Sequence, residues 1–333
     1  MTPAFNRAAE LPFLIESIGK QTLASDLFEM ILVDDGSTDT SAAVVKEWIA
    51  KVDFQLRYIK KENEGPGAAR NEGVEESQGE LLMFIDSDCE ADPDWLKTIY
   101  EKYTDEKFDA CGGPDASKGD FTPLQRAIDF SMTSFLTTGG LRGHSHRPLA
   151  KFYPRSHNMG MTLDLYRKVG GFGELRHGQD IELSHRIIKS GATVAHVADA
   201  VVYHRRRTSL RRFFRQVFNW GVARVNLGKI DRKMLEPLHF VPSTITLVSC
   251  LVMLGFFADP EEFGAFFELG LGLLLALSIL GAIRQRDATV APYLPLVICA
   301  QIFGYGFGFM LAFFKRFILG QDEWVGFSKK YYD

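Results

Sequence analysis

The chain is poor in cysteine. Cys89, Cys111, Cys250 and Cys299 are its four, without the paired spacing of a disulfide framework or a structural zinc site, so a reducing setting is expected. Excess positive charge is also lacking. The net charge of -4 over 333 residues gives no global pull toward nucleic acid, and no nucleic-acid partner is expected. No signal-peptide pattern precedes the first charged stretch, which places that part on the side of the membrane where it is made. The last third has little charge of either sign. Up to about residue 236 the sequence is mixed and charged, and from Leu238 onward it is mostly apolar. A soluble domain followed by a membrane module is the division this predicts.

Within the charged part, short apolar runs alternate with amphipathic stretches. Phe28 to Val33 reads as a buried strand ending in Asp34-Asp35-Gly36-Ser37-Thr38-Asp39, and Ser41 to Lys51 as the helix after it. Leu56 to Ile59 predicts a third strand, and Asn63 to Asn71 a glycine-rich turn into a helix, where backbone N–H groups can face an anion. Leu81 to Ile85 is a further buried strand, ended abruptly by Asp86-Ser87-Asp88. Before all of these, Ala8 to Gln21 has helical spacing, and only Met1-Thr2 precede Pro3-Ala4-Phe5-Asn6-Arg7. This alternation predicts an α/β fold with a doubly wound, mostly parallel sheet.

Ligands of such sheets bind outside the carboxyl ends of the strands. If the chain stays extended past Ile85, residues i and i+2 point the same way, so Asp86 and Asp88 converge. Two carboxylates there suit Mg2+ or Mn2+ carrying phosphate oxygens. Asp34 to Ser37 reads equally as a turn with a helix cap.

Pro3-Ala4-Phe5-Asn6-Arg7, Asp34-Asp35-Gly36-Ser37, Asn63-x-Gly65-x-x-x-Ala69-Arg70-Asn71 and Asp86-Ser87-Asp88, in this order, resemble the nucleotide-binding half of family 2 glycosyltransferases with the GT-A fold. The resemblance implies that Pro3, Asp34 or Asp35 and Arg70 hold the nucleoside of a UDP- or GDP-sugar, with Phe5, Arg7, Gly67, Asp86 and Ser87 completing the donor site. It implies that Asp88, helped by Asp86, holds a divalent metal on the diphosphate, with His204 as a candidate third ligand. Members usually have a full strand before the Pro-x-x-Asn-Arg segment, so the first strand is expected to be missing or misassigned here. Gly178-Gln179-Asp180 resembles the family's Gly-Glu-Asp segment, with Gln179 in place of Glu. That makes Asp180 the expected base, which would take the acceptor's proton in an inverting transfer. An acid in the first turn of a helix also favours the helix through its dipole, which is the plainer reading of Asp180.

In the acceptor half, Phe121 to Phe135 predicts a core helix rich in Phe and Met, and Leu210 to Gly228 a helix in which Arg211, Arg212 and Arg215 alternate with Phe213, Phe214 and Phe218. With Arg205, Arg206 and Arg207 upstream, this helix suits an anionic membrane surface. Gln216-Val217-Phe218-Asn219-Trp220 resembles the Gln-x-x-Arg-Trp element of processive synthases, but Asn219 stands where Arg is expected, so processivity is not expected.

Phe240 to Ala258, Phe263 to Ala282 (interrupted only by Glu268) and Ala288 to Phe314 are each long enough to cross a bilayer. Arg284, Arg286 and the upstream arginines read as cytoplasmic and Asp259-Pro260-Glu261-Glu262 as external. Three crossings would then expel Lys315, Arg316, Lys329 and Lys330. The alternative is that the third segment, with Pro292, Pro295 and Gly304, Gly306 and Gly308, is re-entrant. The resulting plan is a catalytic domain over 1–204 (donor half about 1–112, acceptor half about 113–204), basic helices over 205–236, apolar helices over 237–316 and a tail over 317–333. The expected activity is transfer of a sugar, at the cytoplasmic face of the cell membrane, to a lipid-linked saccharide or growing polysaccharide. A polyprenyl phosphate acceptor, or an inactive scaffold, is the alternative.

Overall fold

A computed structural model of the chain describes residues 1–116, 121–134, 154–204 and 208–327. Phe135, Arg205, Arg206, Arg207, Lys329 and Lys330, singled out above, lie outside the described residues.

Strands β1 (Thr2–Ala4), β2 (Glu29–Asp34) and β3 (Gln55–Lys60) pair in parallel, in the order β1-β2-β3. The run Met30 to Asp34 is buried throughout, as a strand covered on both faces must be. The expectation that the first strand is missing is therefore wrong. Three residues suffice, because Thr2, Pro3 and Ala4 are all buried and in register with Leu32, Val33 and Asp34. On its other edge β1 meets β4 (Leu81–Phe84): the Met1 amino group donates to the Met83 carbonyl at 3.0 Å and Ile85 N–H to the Met1 carbonyl at 3.1 Å. β4 continues the sheet through β8 (Met159–Thr162), β6 (Ala110–Gly112) and β9 (Val194–His196), in the order β4-β8-β6-β9. β8 runs antiparallel to both β4 and β6, while β6 and β9 are parallel. A smaller sheet, β5 (Cys89–Ala91), β10 (Val202–His204) and β7 (Asp115–Ala116), sits in the order β5-β10-β7.

Helices α1 (Leu11–Gly19), α2 (Ser41–Ile49), α3 (Pro66–Glu75) and α4 (Trp95–Glu106) connect these strands, and α6 (Leu163–Val169) and α7 (Gln179–Lys189) lie between β8 and β9 in the chain. Leu11, Leu14, Ile15 and Ile18 of α1 close one core against Leu32, Ile85, Trp95 and Ile99. This is the predicted α/β layering.

α5 (Pro123–Thr133) is core, as expected, but the core it joins is that of the apolar helices. Ala127, Ile128, Phe130 and Met132 pack with Phe213 and Val217 of α8 (Leu210–Ile230) and with Leu294, Val297 and Ile298 of α11 (Leu294–Phe313). The aromatic face of α8 is accordingly turned inward, while Arg211, Arg212 and Arg215 stay exposed. It does not lie free for a membrane. α11 is also not broken at its prolines and glycines. Pro292 precedes it and Pro295 falls in its first turn, where no helical N–H is lost. The glycines permit close approach: a Cβ on Gly304 would meet Val217 at 2.6 Å, and one on Gly308 would strike the Phe218 carbonyl oxygen. Between α8 and α11 lie α9 (Val241–Ala258) and α10 (Pro260–Gln285). These two, the second beginning at an Asp259 cap that accepts from the N–H groups of Glu261 and Glu262 at 3.1 Å, and α11 give three helices long and apolar enough to cross a membrane.

Replacing Gly308 with Leu should overpack the α8–α11 contact and cost about 1–3 kcal/mol, whereas Gly270→Ala, facing open space in α10, should be neutral or slightly stabilising. Thermal unfolding of the detergent-solubilised full chain checks this, and an unchanged melting temperature for Gly308→Leu would refute the packing.

Candidate active site

The turn after β2 is held from inside. Asp34 and Asp35 are both fully buried. Asp34 accepts from Ser37 N–H at 2.7 Å and from the Tyr58 hydroxyl. Asp35 accepts from Glu64 N–H at 2.9 Å and Gly65 N–H at 2.7 Å, which seats the glycine-rich turn at the start of α3. Gly65, with φ of 100°, makes a conformation that L side chains rarely adopt. The segment around Pro3 is stitched to the same turn. Asn6 accepts from Thr38 N–H at 2.8 Å, and Arg7 N–H donates to Ser41 Oγ at 2.9 Å. Both carboxylates thus serve the turn itself, the plainer of the two readings. Pro3 is buried in β1, and Phe5 and Arg7 are half-buried beside it.

Gly67 lies under the side chain of Gln179, where a Cβ would come within 2.7 Å of the amide nitrogen. That amide donates to the Gly173 carbonyl at 3.1 Å, a bond the family's usual Glu could not donate. Gln179 therefore links the glycine-rich turn to the segment leading into Asp180.

Asp86 and Asp88 do not converge in the expected way. β4 ends at Phe84, and Cys89 N–H donates back to the Asp86 carbonyl at 3.1 Å, closing a turn instead of an extended segment. Asp86 swings to Arg70, whose Nη2 lies 2.6 Å from Oδ1. Asp88 is sent the other way, because Cys89 pairs with His204 across β5 and β10. His204 Nε2 lies 3.3 Å from Asp88 Oδ1. Among the described residues, the group with metal-binding geometry is Asp88, Cys89 and His204, without Asp86. Burial first, and then the Asp88 and Asp86 carboxylates, push the Cys89 thiol well up, so it stays neutral and is a poor ligand for a hard cation. A carboxylate and an imidazole at a strand end fit Mn2+ or Mg2+, which would take its remaining oxygens from a diphosphate and water.

Arg70 is 5% exposed, stacks 5.1 Å from the Phe172 ring centroid and carries a buried Nε without a protein partner. It can face an oxygen of a bound donor. Ser87 is buried within the Asp86–Asp88 turn.

Asp180 sits in the first turn of α7, after Gly178. A side chain on Gly178, at φ of 82°, would press on Leu227 of α8 at 3.1 Å. Burial pushes the Asp180 pKa up. The Arg155 guanidinium, 3.5 Å away, followed by His157, the hydrogen bond from Ile181 N–H and Arg70, together outweigh that and hold it below the ordinary carboxylate value. It is a carboxylate at neutral pH, as a proton acceptor must be.

What the sequence reading passed over is the segment Arg155-Ser156-His157-Asn158. Arg155 pairs with Asp180, and Ser156 accepts from Arg70 at 3.2 Å. His157 stacks on His204 with ring centroids 5.5 Å apart, and desolvation pushes its pKa down to about 4, so it is neutral at pH 7. Asn158 is 1% exposed. It accepts from Trp95 Nε1 at 2.9 Å and donates to the carbonyls of Pro114 and Ala200 at 3.0 and 2.8 Å. Four consecutive polar residues just before the apolar Met159–Thr162 strand were the available signal. Asn219 is used structurally, accepting from Phe327 N–H at 3.1 Å.

The family model described as glycosyl transferase family 2 matches residues 1–169. The chain is 29% identical to the glycosyltransferase EpsH of Bacillus subtilis over 239 residues, 67% of this chain but only 65% of that protein's length. It is 24% identical to the glycosyltransferase AglE of Haloferax volcanii over 78% of this chain and 81% of AglE. Among solved structures, the mannosyltransferase PcManGT of Pyrobaculum calidifontis, in complex with GDP-Man and Mn2+, superposes with a TM-score of 0.64 at 18% identity, covering 90% of this chain and 85% of that one. TarS 1–349 of S. aureus with UDP superposes with a TM-score of 0.52 at 20% identity, covering 99% and 94%. These likenesses show the GT-A fold.

Truncating Asn158 to Ala would remove the side-chain partner of two buried polar groups, Trp95 Nε1 and the Ala200 carbonyl, and one of the two donors to the Pro114 carbonyl, which also accepts from Val202 N–H. A loss on the order of 1–3 kcal/mol is expected, together with weaker nucleotide binding, because the His157 and Pro114 segments loosen at once. A variant as stable as the parent in thermal unfolding would refute this role.

Proposed function

Because this chain belongs to glycosyl transferase family 2, we propose that it transfers a sugar, with inversion, from a UDP- or GDP-sugar to a lipid-linked saccharide or growing polysaccharide at the cytoplasmic face of the membrane. The observation that carries the reading is the cluster built on Arg155–Asn158. It brings an ionised carboxylate, Asp180, together with a candidate cation site, Asp88 and His204, and with a buried donor-facing guanidinium, Arg70.

In this reading Pro3, Phe5 and Arg7, with the turn that Asp34 and Asp35 hold, make the nucleoside end of the donor site. Gly67, Arg70 and Ser87 lie toward the diphosphate, and Asp86 keeps Arg70 oriented. Asp88 and His204 would hold the divalent cation, which when bound offsets the charge of the departing diphosphate. Asp180 accepts the proton of the acceptor hydroxyl as it attacks the anomeric carbon, and Arg155 keeps Asp180 ionised until it does. Proton acceptance of this kind is typically worth a hundredfold to ten-thousandfold, by the order-of-magnitude rule for general bases. A membrane-bound acceptor is supported by the contact of the catalytic helix with α8 and the turn after it, where Ile181 packs with Leu227 and Met234, since α8 is itself packed against the apolar α11. A polymer acceptor is supported by a relative, the S. aureus TarS, named as a poly(ribitol-phosphate) β-N-acetylglucosaminyltransferase and 30% identical over 97 residues.

Two substitutions separate chemistry from binding. Asp180→Asn should leave donor affinity nearly unchanged and lower turnover by about 10²–10⁴. Asp88→Ala should keep the fold but lose Mn2+-dependent binding of UDP or GDP in calorimetry. A fall in turnover of less than tenfold for Asp180→Asn at saturating donor would remove Asp180 as the base. Unchanged Mn2+ dependence in Asp88→Ala would remove the cation site.

A further inference from the structure

We propose that α9 and α10 alone cross the bilayer, as a hairpin, and that α11 lies along the boundary between the catalytic domain and the lipid with both ends on the catalytic side. The inference rests on the membrane attachment proposed above and is independent of the chemistry.

Both ends of α11 are tied to residues of the 1–204 part, through α5, itself packed into the apolar-helix core, before it and through the segment leading into Asp180 after it, with α8 adding a further tie there. Before it, Asp287 pairs with Arg126 of α5 at 2.7 Å. After it, the Asn226 amide donates to the Trp324 carbonyl at 2.9 Å, Arg176 N–H donates to Glu323 at 3.2 Å, and His177 Nε2 lies 3.2 Å from the Val325 carbonyl. Arg176 and His177 lead directly into the Asp180 helix. A helix of this size is about 30 Å long, enough to separate its ends by a bilayer if it stood upright. Its two ends instead meet one domain.

Between those ends α11 runs alongside α8 in the same direction, Gly304 against Val217 and Phe214 and Gly308 against Phe218. α8 begins with the exposed Arg211, Arg212 and Arg215, so hydrocarbon on that face would strand three charges. The other face of α11 and of the π-helical turn Phe314–Ile318 that continues it is an exposed apolar stripe of Leu296, Phe307, Leu311, Phe314 and Ile318, spaced as one side of a helix. A helix with one face on protein and an apolar face outward suits the boundary layer. Burial separates the three apolar helices accordingly: 44% of the span ending α11 is buried, against 11% for each of the other two.

Among the described residues, the hairpin touches this layer through its open half, with Leu274 and Leu277 of α10 the contacts farthest from that end. Thr246 Oγ1 donates to the Ile302 carbonyl at 3.1 Å, Phe240 stacks edge-on with Phe309, and Gly281 faces Leu294 and Phe130. Elsewhere, side chains such as Leu251, Leu254, Phe257, Phe266, Leu269 and Ile279 are exposed on every side, the pattern of a helix in lipid. Two crossings also remove the charge conflict. Asp259, Glu261 and Glu262 occupy the far side alone, while Arg284, Arg286, Lys315 and Arg316 remain with the catalytic domain, as the excess of basic residues in cytoplasmic loops requires.

The test uses the full chain with Cys250 and Cys299 replaced by Ala, leaving the buried Cys89 and Cys111 in place. Single cysteines are added at Asp105, Glu261, Ala288 or Asp322, all exposed, and labelled with a membrane-impermeant maleimide in right-side-out and inside-out vesicles. The expected result is that Asp105→Cys, Ala288→Cys and Asp322→Cys react in one vesicle orientation and Glu261→Cys in the other. Reaction of Asp322→Cys together with Glu261→Cys would establish three crossings and overturn the proposal. Reaction of Glu261→Cys together with Asp105→Cys would show that the hairpin does not cross. Release of the parent chain by alkaline carbonate would sink the membrane attachment itself, a failure distinct from either.

Discussion

Everything in the site depends on four consecutive side chains being fixed at once. Arg155, Ser156, His157 and Asn158 enter the antiparallel strand β8, which reaches into the sheet between β4 and β6. Each of the four is committed to a different partner: Asp180, the Arg70 guanidinium, the candidate metal ligand and the surrounding loops. Asn158 makes the arrangement stiff, because a buried amide with its oxygen and both N–H groups paired leaves the segment no alternative of comparable energy. The polar groups of the site are thereby held in place by the fold before any ligand arrives, which is what electrostatic assistance to a developing charge needs.

The same stiffness extends to the apolar helices. Asp180 rides on α7, whose Ile181 packs on Leu227 of α8, and α8 is fitted against α11 through glycines that bring backbone against backbone. Close small-residue contacts of this kind are what hold helices together where lipid competes for every larger side chain. Asp180, the base in the proposed reaction, is therefore positioned by the helices packed against the apolar module, and in that proposal an acceptor delivered along the lipid surface would arrive beside it.

Much of this was legible in the chain. Strands covered on both faces carry unbroken apolar runs, so β2 and β4 were placed to within a residue. The acids beyond them, with the Pro3–Arg7 and Asn63–Asn71 motifs, pointed to the family. His204 was found as a candidate, and its pairing with Asp88 follows from the β5–β10 register. The parts that were not legible depend on contacts between distant residues. Spacing alone could not show that a turn at Cys89 separates Asp86 from Asp88, since the turn is stabilised by Arg70 on one side and by β10 on the other. The Phe-rich face of α8 reads alike whether it meets lipid or another helix, and only the fit of Gly304 and Gly308 decides. The role of Arg155–Asn158 was hidden because β8 pairs antiparallel with strands far away in sequence.

The most direct test of metal-assisted attack opposite the departing diphosphate, with Asp180 as proton acceptor, is the configuration of the first product. With an α-linked nucleotide-sugar donor and Mn2+, proton NMR during the early minutes of transfer or donor hydrolysis should show the β-anomer forming first, before mutarotation. An α-anomer as the first product would contradict single-step inversion and assign Asp180 and its neighbours a different chemistry.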